Sequence, residues 1–154
     1  MEEYELSPIK NILDALEVRK IRNQGRISMT KDTSEITSFT QVKWYFKTYK
    51  EANKKKEMIC YLFRLNGKNS GFGFIRKTLG KYWITGGIST EQRGKGLGKI
   101  LFGLVVKEVP SKTVWLEVLD SNIFAKKIYF GLGFKKIKTF NRNGNKILLM
   151  NLIK

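Results

Sequence analysis

The spacing of apolar residues changes at several points along the chain, and each change predicts an element. Tyr4 and Leu6 alternate with polar neighbours, as in a short strand. Ser7 and Pro8 also suit a helix start, but the alternation favours the strand, with a helix over about 14–23 behind it. Val42, Tyr45, Phe46 and Tyr49 recur at three- and four-residue intervals, which predicts a second helix over about 39–52. Three strand-like runs follow, EMICYLFRLN, SGFGFIRKT and KYWITGGIST, joined by the turns NGKN and LGK. They read as an antiparallel meander.

Leu97, Ile100, Leu101, Leu104 and Val105 then trace one face of a helix that stops near Pro110. TVWLEVL is a strand with Val114, Leu116 and Val118 on one side and Trp115, Glu117 and Leu119 on the other. A short helix over about 122–131 comes next, with Gly133 past its end. FKKIKTF and KILLMNLIK flank NRNGN, whose Asn143-Gly144 pair is a hairpin signal. The order is a mixed α/β arrangement around one sheet, and 154 residues suit a single domain over 1–154.

Composition sharpens this. Thirty Lys and Arg against 13 Asp and Glu give a formal net charge of +17, which attracts phosphate-bearing ligands, nucleic acid or other anionic surfaces. The chain has no histidine, so histidine triads, histidine bases and histidine-ligated metals are excluded, and no metal site is expected. Cys60 is the one cysteine, so no internal disulfide can form; that fits a reducing compartment, with the cytoplasm expected. MEEYELSPIK does not read as a secretory signal, and ILFGLVV is too short to span a bilayer. Cys60 is expected in the core rather than as a nucleophile, since no neighbour would lower its pKa.

The densest signal is STEQRGKGLGKI, where Gly94, Gly96 and Gly98 sit among Arg93, Lys95 and Lys99 as the apolar helical pattern begins. Glycine weakens a helix, so three of them here serve either a tight connection or a backbone that curls around an anion at the helix N-terminus. A nucleotide-hydrolase P-loop needs Ser or Thr after its lysine, and none follows Lys99. A dinucleotide motif belongs in a first parallel βαβ unit, whereas this loop follows an antiparallel meander.

At these residues the sequence resembles the GNAT superfamily of N-acetyltransferases. The family's phosphate motif, Gln/Arg-x-x-Gly-x-Gly/Ala, is matched by Arg93, Gly96 and Gly98. A second family motif is matched by Asn122, Ala125, Tyr129 and Gly133-Phe134 in SNIFAKKIYFGLGF. The resemblance implies a GNAT-type α+β fold, a mainly antiparallel sheet of about seven strands flanked by about four helices.

It also implies an acetyl-CoA-dependent N-acetyltransferase acting by direct attack of an amine. The diphosphate would rest on backbone N–H groups of Arg93, Gly94, Lys95, Gly96, Leu97, Gly98 and Lys99. Lys126 and Lys127 would reach the remaining phosphate, or form a solvated helix face. The pantetheine arm would lie along GGIST like an added strand, on backbone groups of Gly87, Ile88, Ser89 and Thr90. The N–H near Ile88 would stabilise the developing oxyanion, its side chain being core. Gly86 and Gly87 suit close backbone approach or a bulge. Tyr129 would protonate the departing sulfur, or simply pack. Asn122 would hold pantetheine or cap its helix. For the base, Glu117 is the candidate, against a salt-bridged Glu117 with water in its place.

The acceptor side resembles branches of the family that act on nucleotide-linked amino sugars or ribosomal-protein N-termini, in EVRKIRNQGRISM and FTQVKWYF. By that resemblance Arg22, Asn23, Gln41, Trp44 and Tyr45 line the acceptor. Positive charge repels polyamines and aminoglycosides, so the expected acceptor is an anionic small-molecule amine, an amino sugar linked to a nucleotide ranking above a protein amine. No membrane partner is expected, and a homodimer stays open. The competing class is a non-enzymatic basic module that holds nucleic acid through phosphate contacts; no aromatic RNA-recognition motif supports it.

Overall fold

The computed structural model describes residues 1–154, and the elements follow the predicted order. β1 (Tyr4–Pro8) leads to α1 (Ile12–Gln24), which starts at Asn11 rather than at Ser7, because the Asn11 side chain accepts from the Asp14 N–H. After a short 3₁₀ turn, α2 (Ser38–Trp44) begins at the Thr37 cap and continues through a π-turn (Tyr45–Tyr49) into α3 (Lys50–Lys54). The three segments run on as one rod. β2 (Met58–Leu65), β3 (Lys68–Thr78) and β4 (Lys81–Ile88) form the expected meander. α4 (Leu97–Glu108), β5 (Thr113–Leu119) and α5 (Ile123–Gly131) follow, then the hairpin β6 (Lys135–Arg142) and β7 (Asn145–Ile153). Asn143 and Gly144 both take positive φ in its turn, the I′ geometry that matches strand twist.

The strands make one sheet in the order β1-β2-β3-β4-β5-β7-β6, antiparallel everywhere except between β4 and β5. Period-2 alternation sorts the side chains onto two faces. Phe63, Ile75, Ile84, Val114, Leu116, Val118 and Met150 join α4 and α5 in the larger core. Cys60, Leu62 and Phe72 point the other way and pack with Ala15, Val18 and Ile21 of α1 and with Tyr45 and Tyr49. The second core stops at β3. Trp83, Trp115 and Glu117 lie on the same sheet face beyond it, with no helix above them. Cys60 is buried, and burial pushes its thiol up to about 12. No helix is long and apolar enough to cross a membrane.

Candidate active site

β4 and β5 touch only at Tyr82–Val114 and Trp83–Trp115. β4 stays with β3 from Lys81 to Ile88, while β5 stays with β7 from Thr113 to Leu119. Each strand follows its own neighbour, so the two part after their last shared pair and leave a gap in the middle of the sheet.

The Ser89 N–H donates to the Ser70 carbonyl at 2.8 Å, which fixes the alternation of the strand edge. Gly87 and Ser89 turn their backbone groups toward β3, whereas Gly86 and Ile88 turn theirs into the gap. This corrects the expected run of partners over Gly87–Thr90. Ile88 and Gly86 have backbone groups free of β3, but Gly87 and Ser89 are engaged by β3, and the Thr90 N–H donates to Gln24 Oε1 at 2.8 Å. Close approach explains Gly86: a Cβ there would lie 2.6 Å from the Phe72 carbonyl oxygen. There is no bulge between β3 and β4.

Beyond β4 a 3₁₀ turn (Thr90–Gln92) delivers the chain to the glycine loop. Gly94 and Gly96 take φ of +80° and +75°, and Gly96 occupies the cap position of α4 with no side chain bonding the first turn. As a result the six consecutive N–H groups from Gly94 to Lys99 donate to no protein acceptor. They lie at the positive end of α4. A Cβ added at Gly94 or Gly96 would meet nothing within 4 Å, so the loop faces open space. Gly98 does different work: its Cβ would lie 2.7 Å from Ile128 Cδ1, so its lack of a side chain lets α5 pack against the first turn of α4. The Leu97 side chain is core.

Side chains around the loop divide into committed and free. Arg93 Nε donates to the Ile88 carbonyl at 3.2 Å, and Lys95 Nζ to Gln92 Oε1 at 2.8 Å. Lys126 is paired with Asp120 at 3.1 Å, which takes it away from the expected phosphate contact. Lys99 and Lys127 are exposed and unpaired. Asn122 caps α5, its Oδ1 accepting from the Ala125 N–H at 3.2 Å. Tyr129 lies between Phe102 and Phe134, with edge-on ring contacts at 5.0 and 5.9 Å. Burial pushes its phenol above the usual tyrosine range. No protein group bonds its hydroxyl, yet the oxygen is not among the atoms sealed from solvent without a partner, so it opens outward.

On the other sheet face the expected acceptor residues turn out to build a loop. Asn23 pairs with both backbone groups of Ile36, each at 2.9 Å. Arg22 donates to the carbonyls of Asp32 and Ser34, Arg26 to that of Thr33, and Arg19 to that of Ile36. Together these side chains hold the α1–α2 connection in shape. Gln41 is buried with its Nε2 on the Ala15 carbonyl at 2.8 Å, and Tyr45 is buried beside Tyr49. Trp44 packs on Tyr49 and Phe74. Of these three, Gln41 and Tyr45 are buried and Trp44 is half-buried.

Glu117 is clamped by Arg142, with contacts of 2.5 and 3.3 Å. Burial alone would raise its pKa, but the Arg142 hydrogen bonds and charge, aided by Lys31, hold it below the usual carboxylate range. A carboxylate so held is a weak proton acceptor at neutral pH, which corrects its expected role as base. Arg142 also donates to the Thr30 carbonyl at 3.2 Å, tying β6 to the α1–α2 loop. Sequence reading missed this cluster because its members are 25 residues or more apart and no motif links them.

The profile of the acetyltransferase (GNAT) family matches residues 26–134. Among solved structures, the chain is similar to an N-acetyltransferase from Staphylococcus aureus Mu50, with a TM-score of 0.78 at 18% identity over 98% of each chain. It is also similar to a ribosomal-protein-alanine N-acetyltransferase from Brucella melitensis, with a TM-score of 0.79 at 14% identity over 97% of this chain and 99% of that one. A third similar structure is AAC(6')-Ib in complex with parmomycin and acetyl-CoA, with a TM-score of 0.77 at 18% identity over 99% of this chain and 94% of that one. Identities this low speak for the fold. No curated protein matches the chain significantly in sequence.

Proposed function

The chain belongs to the GNAT acetyltransferase family, an acetyl-CoA-dependent N-acetyltransferase, and we propose that it acetylates the primary amine of an anionic small molecule, a nucleotide-linked amino sugar first, in the cytoplasm. The observation that carries this reading is the pairing of a parted β4–β5 edge with six unpartnered N–H groups at the start of α4.

Acetyl-CoA supplies the acetyl group as an activated thioester, and the residues present fit it. The N–H groups from Gly94 to Lys99 would hold its diphosphate, since they lie in an open loop at a helix start and lack other acceptors. Lys99 and Lys127 are the free cations for its remaining phosphate. Gly86 and Ile88 present N–H donors in the gap, and a donor there polarises a carbonyl oxygen within reach. Tyr129 keeps its proton across the neutral range and holds it at a hydroxyl with no protein acceptor, which suits hydrogen-bond donation to a departing sulfur. With Glu117 clamped, loss of the amine proton falls to water.

The anionic acceptor rests on charge. At +17 the chain repels cationic amines during encounter and draws phosphate-bearing ones. The test is thiol release from acetyl-CoA across a panel of nucleotide-linked amino sugars, peptide N-termini, polyamines and aminoglycosides. Turnover on the first group is expected. Turnover confined to polyamines or aminoglycosides overturns the anionic assignment, and turnover confined to peptides moves it to a protein amine. On the best acceptor, Tyr129→Phe is expected to lower kcat by about a hundredfold while acetyl-CoA affinity holds. An unchanged kcat removes Tyr129 as proton donor.

A further inference from the structure

The sheet face beyond the second core carries a group of charges that neither the fold nor the loop accounts for. Arg76 on β3 is the cross-strand neighbour of Trp83, and Trp83 of Trp115, with the two indole rings 6.0 Å apart. Glu117 lies two residues further along β5 on the same face. Arg142 spans from Glu117 to the Thr30 carbonyl, and Lys31 follows in the chain. Arg142 and Lys31 therefore both act on the one carboxylate, with Arg76 beside Lys31, and that carboxylate is already taken by Arg142.

Arg76 and Lys31 have no ion pair and donate no side-chain hydrogen bond. The Arg76 Nε is sealed from solvent without an acceptor, whereas its terminal nitrogens are neither sealed nor bonded. The stem is thus fixed and the fork is free. Burial and the neighbouring Arg76 charge hold the Lys31 ammonium below its usual range, with Arg142 adding to this and Glu117 opposing it. Trp83–Trp115 is also the last pair before β4 and β5 part, so this group sits at the closed end of the gap, across the sheet from the α4 loop.

We infer that Arg76 and Lys31, with Arg142 held behind them by Glu117, form the seat for a carboxylate or phosphate on the acceptor. A surplus of positive charge beside an aromatic wall, with a free guanidinium fork on a fixed stem, matches a planar or tetrahedral oxyanion better than any neutral group. An acceptor anchored there has its amine carried toward the gap that would receive the acetyl group. This deepens the acetyltransferase reading and rests on it.

The test compares matched acceptors at saturating acetyl-CoA: glucosamine 6-phosphate against glucosamine for phosphate, and serine against serinamide for carboxylate. In at least one pair the wild type is expected to favour the charged member in kcat/KM by about tenfold or more. Arg76→Met, which keeps the buried stem, and Lys31→Met should each bring that ratio toward unity, with melting temperature and acetyl-CoA affinity as controls for folding and for the donor site. A wild type that prefers the neutral members, or a ratio unmoved by Arg76→Met, overturns the seat while leaving the acetyltransferase reading intact. If no amine is turned over although acetyl-CoA binds, the acceptor reading fails separately. Pyrophosphate titrated onto the acetyl-CoA complex then decides the seat: thermal stabilisation lost in Arg76→Met supports it, and equal stabilisation of both proteins overturns it.

Discussion

The two sides of the sheet use polar groups in opposite ways. On the α4–α5 side the chemistry is offered by main chain: a loop with left-handed Gly94 and Gly96 leaves a row of N–H groups without acceptors, and the nearby cations are accessories. On the α1–α2 side most polar side chains are turned inward. Arg19, Arg22, Asn23 and Arg26 are committed to carbonyls of one loop, whereas Arg76 and Lys31 remain unclaimed. An arginine in a motif-like position is therefore no guide to its role until its partners are known.

The largest expected effect breaks the first half of this comparison. Gly96→Glu places a carboxylate in the loop that carries the unpartnered N–H groups and should weaken acetyl-CoA binding by about a hundredfold or more, measured by calorimetry. Stability should fall by only about 1 kcal/mol for the left-handed backbone, because the side chain enters open space. Affinity that survives the change would mean that the main-chain row does not hold the donor.

A smaller effect probes the second half. Arg22→Ala releases the carbonyls of Asp32 and Ser34 and should raise the acceptor KM by about tenfold through a loosened loop, at a cost of about 1–2 kcal/mol in stability. Acetyl-CoA affinity should stay put. A changed donor affinity with an unchanged acceptor KM would dissolve the distinction between the two sides.

The smallest effect concerns the clamp between them. Because Glu117 has its pKa lowered by folding, its contribution is present above the ordinary carboxylate range and disappears as pH falls through its folded value. Glu117→Gln should therefore melt lower than the wild type at pH 7, with a deficit of about 1–2 kcal/mol. The gap should close on acidification below about pH 4. A deficit that persists at low pH would show that packing, not the ion pair, is what the glutamate provides.

Legibility followed the range of the interaction. The strands and helices announced themselves by periodicity because burial acts on residues two to four apart. The α4 loop was readable for a related reason: left-handed glycines and a helix start are local features. Gly98 was legible as a glycine, but its packing purpose was not, since Ile128 approaches it from 30 residues away. Arg22 and Asn23 stand out in the sequence, but their bonds to the backbone of residues 32–36 do not. The Arg142–Glu117 clamp left no trace, because nothing in FNRNGN or TVWLEVL specifies the other.

Taken alone, the order of residues decided which segments would be strand or helix, which faces would be buried, and that an uncapped helix start would follow a glycine turn. Local sterics and solvent exclusion act within a few residues, so that information is written in the chain itself. The register of seven strands decided the rest: where β4 and β5 part, which cations find partners, and which are left free. Pairing between distant side chains is a property of the assembled sheet, and it exists only once the strands are side by side.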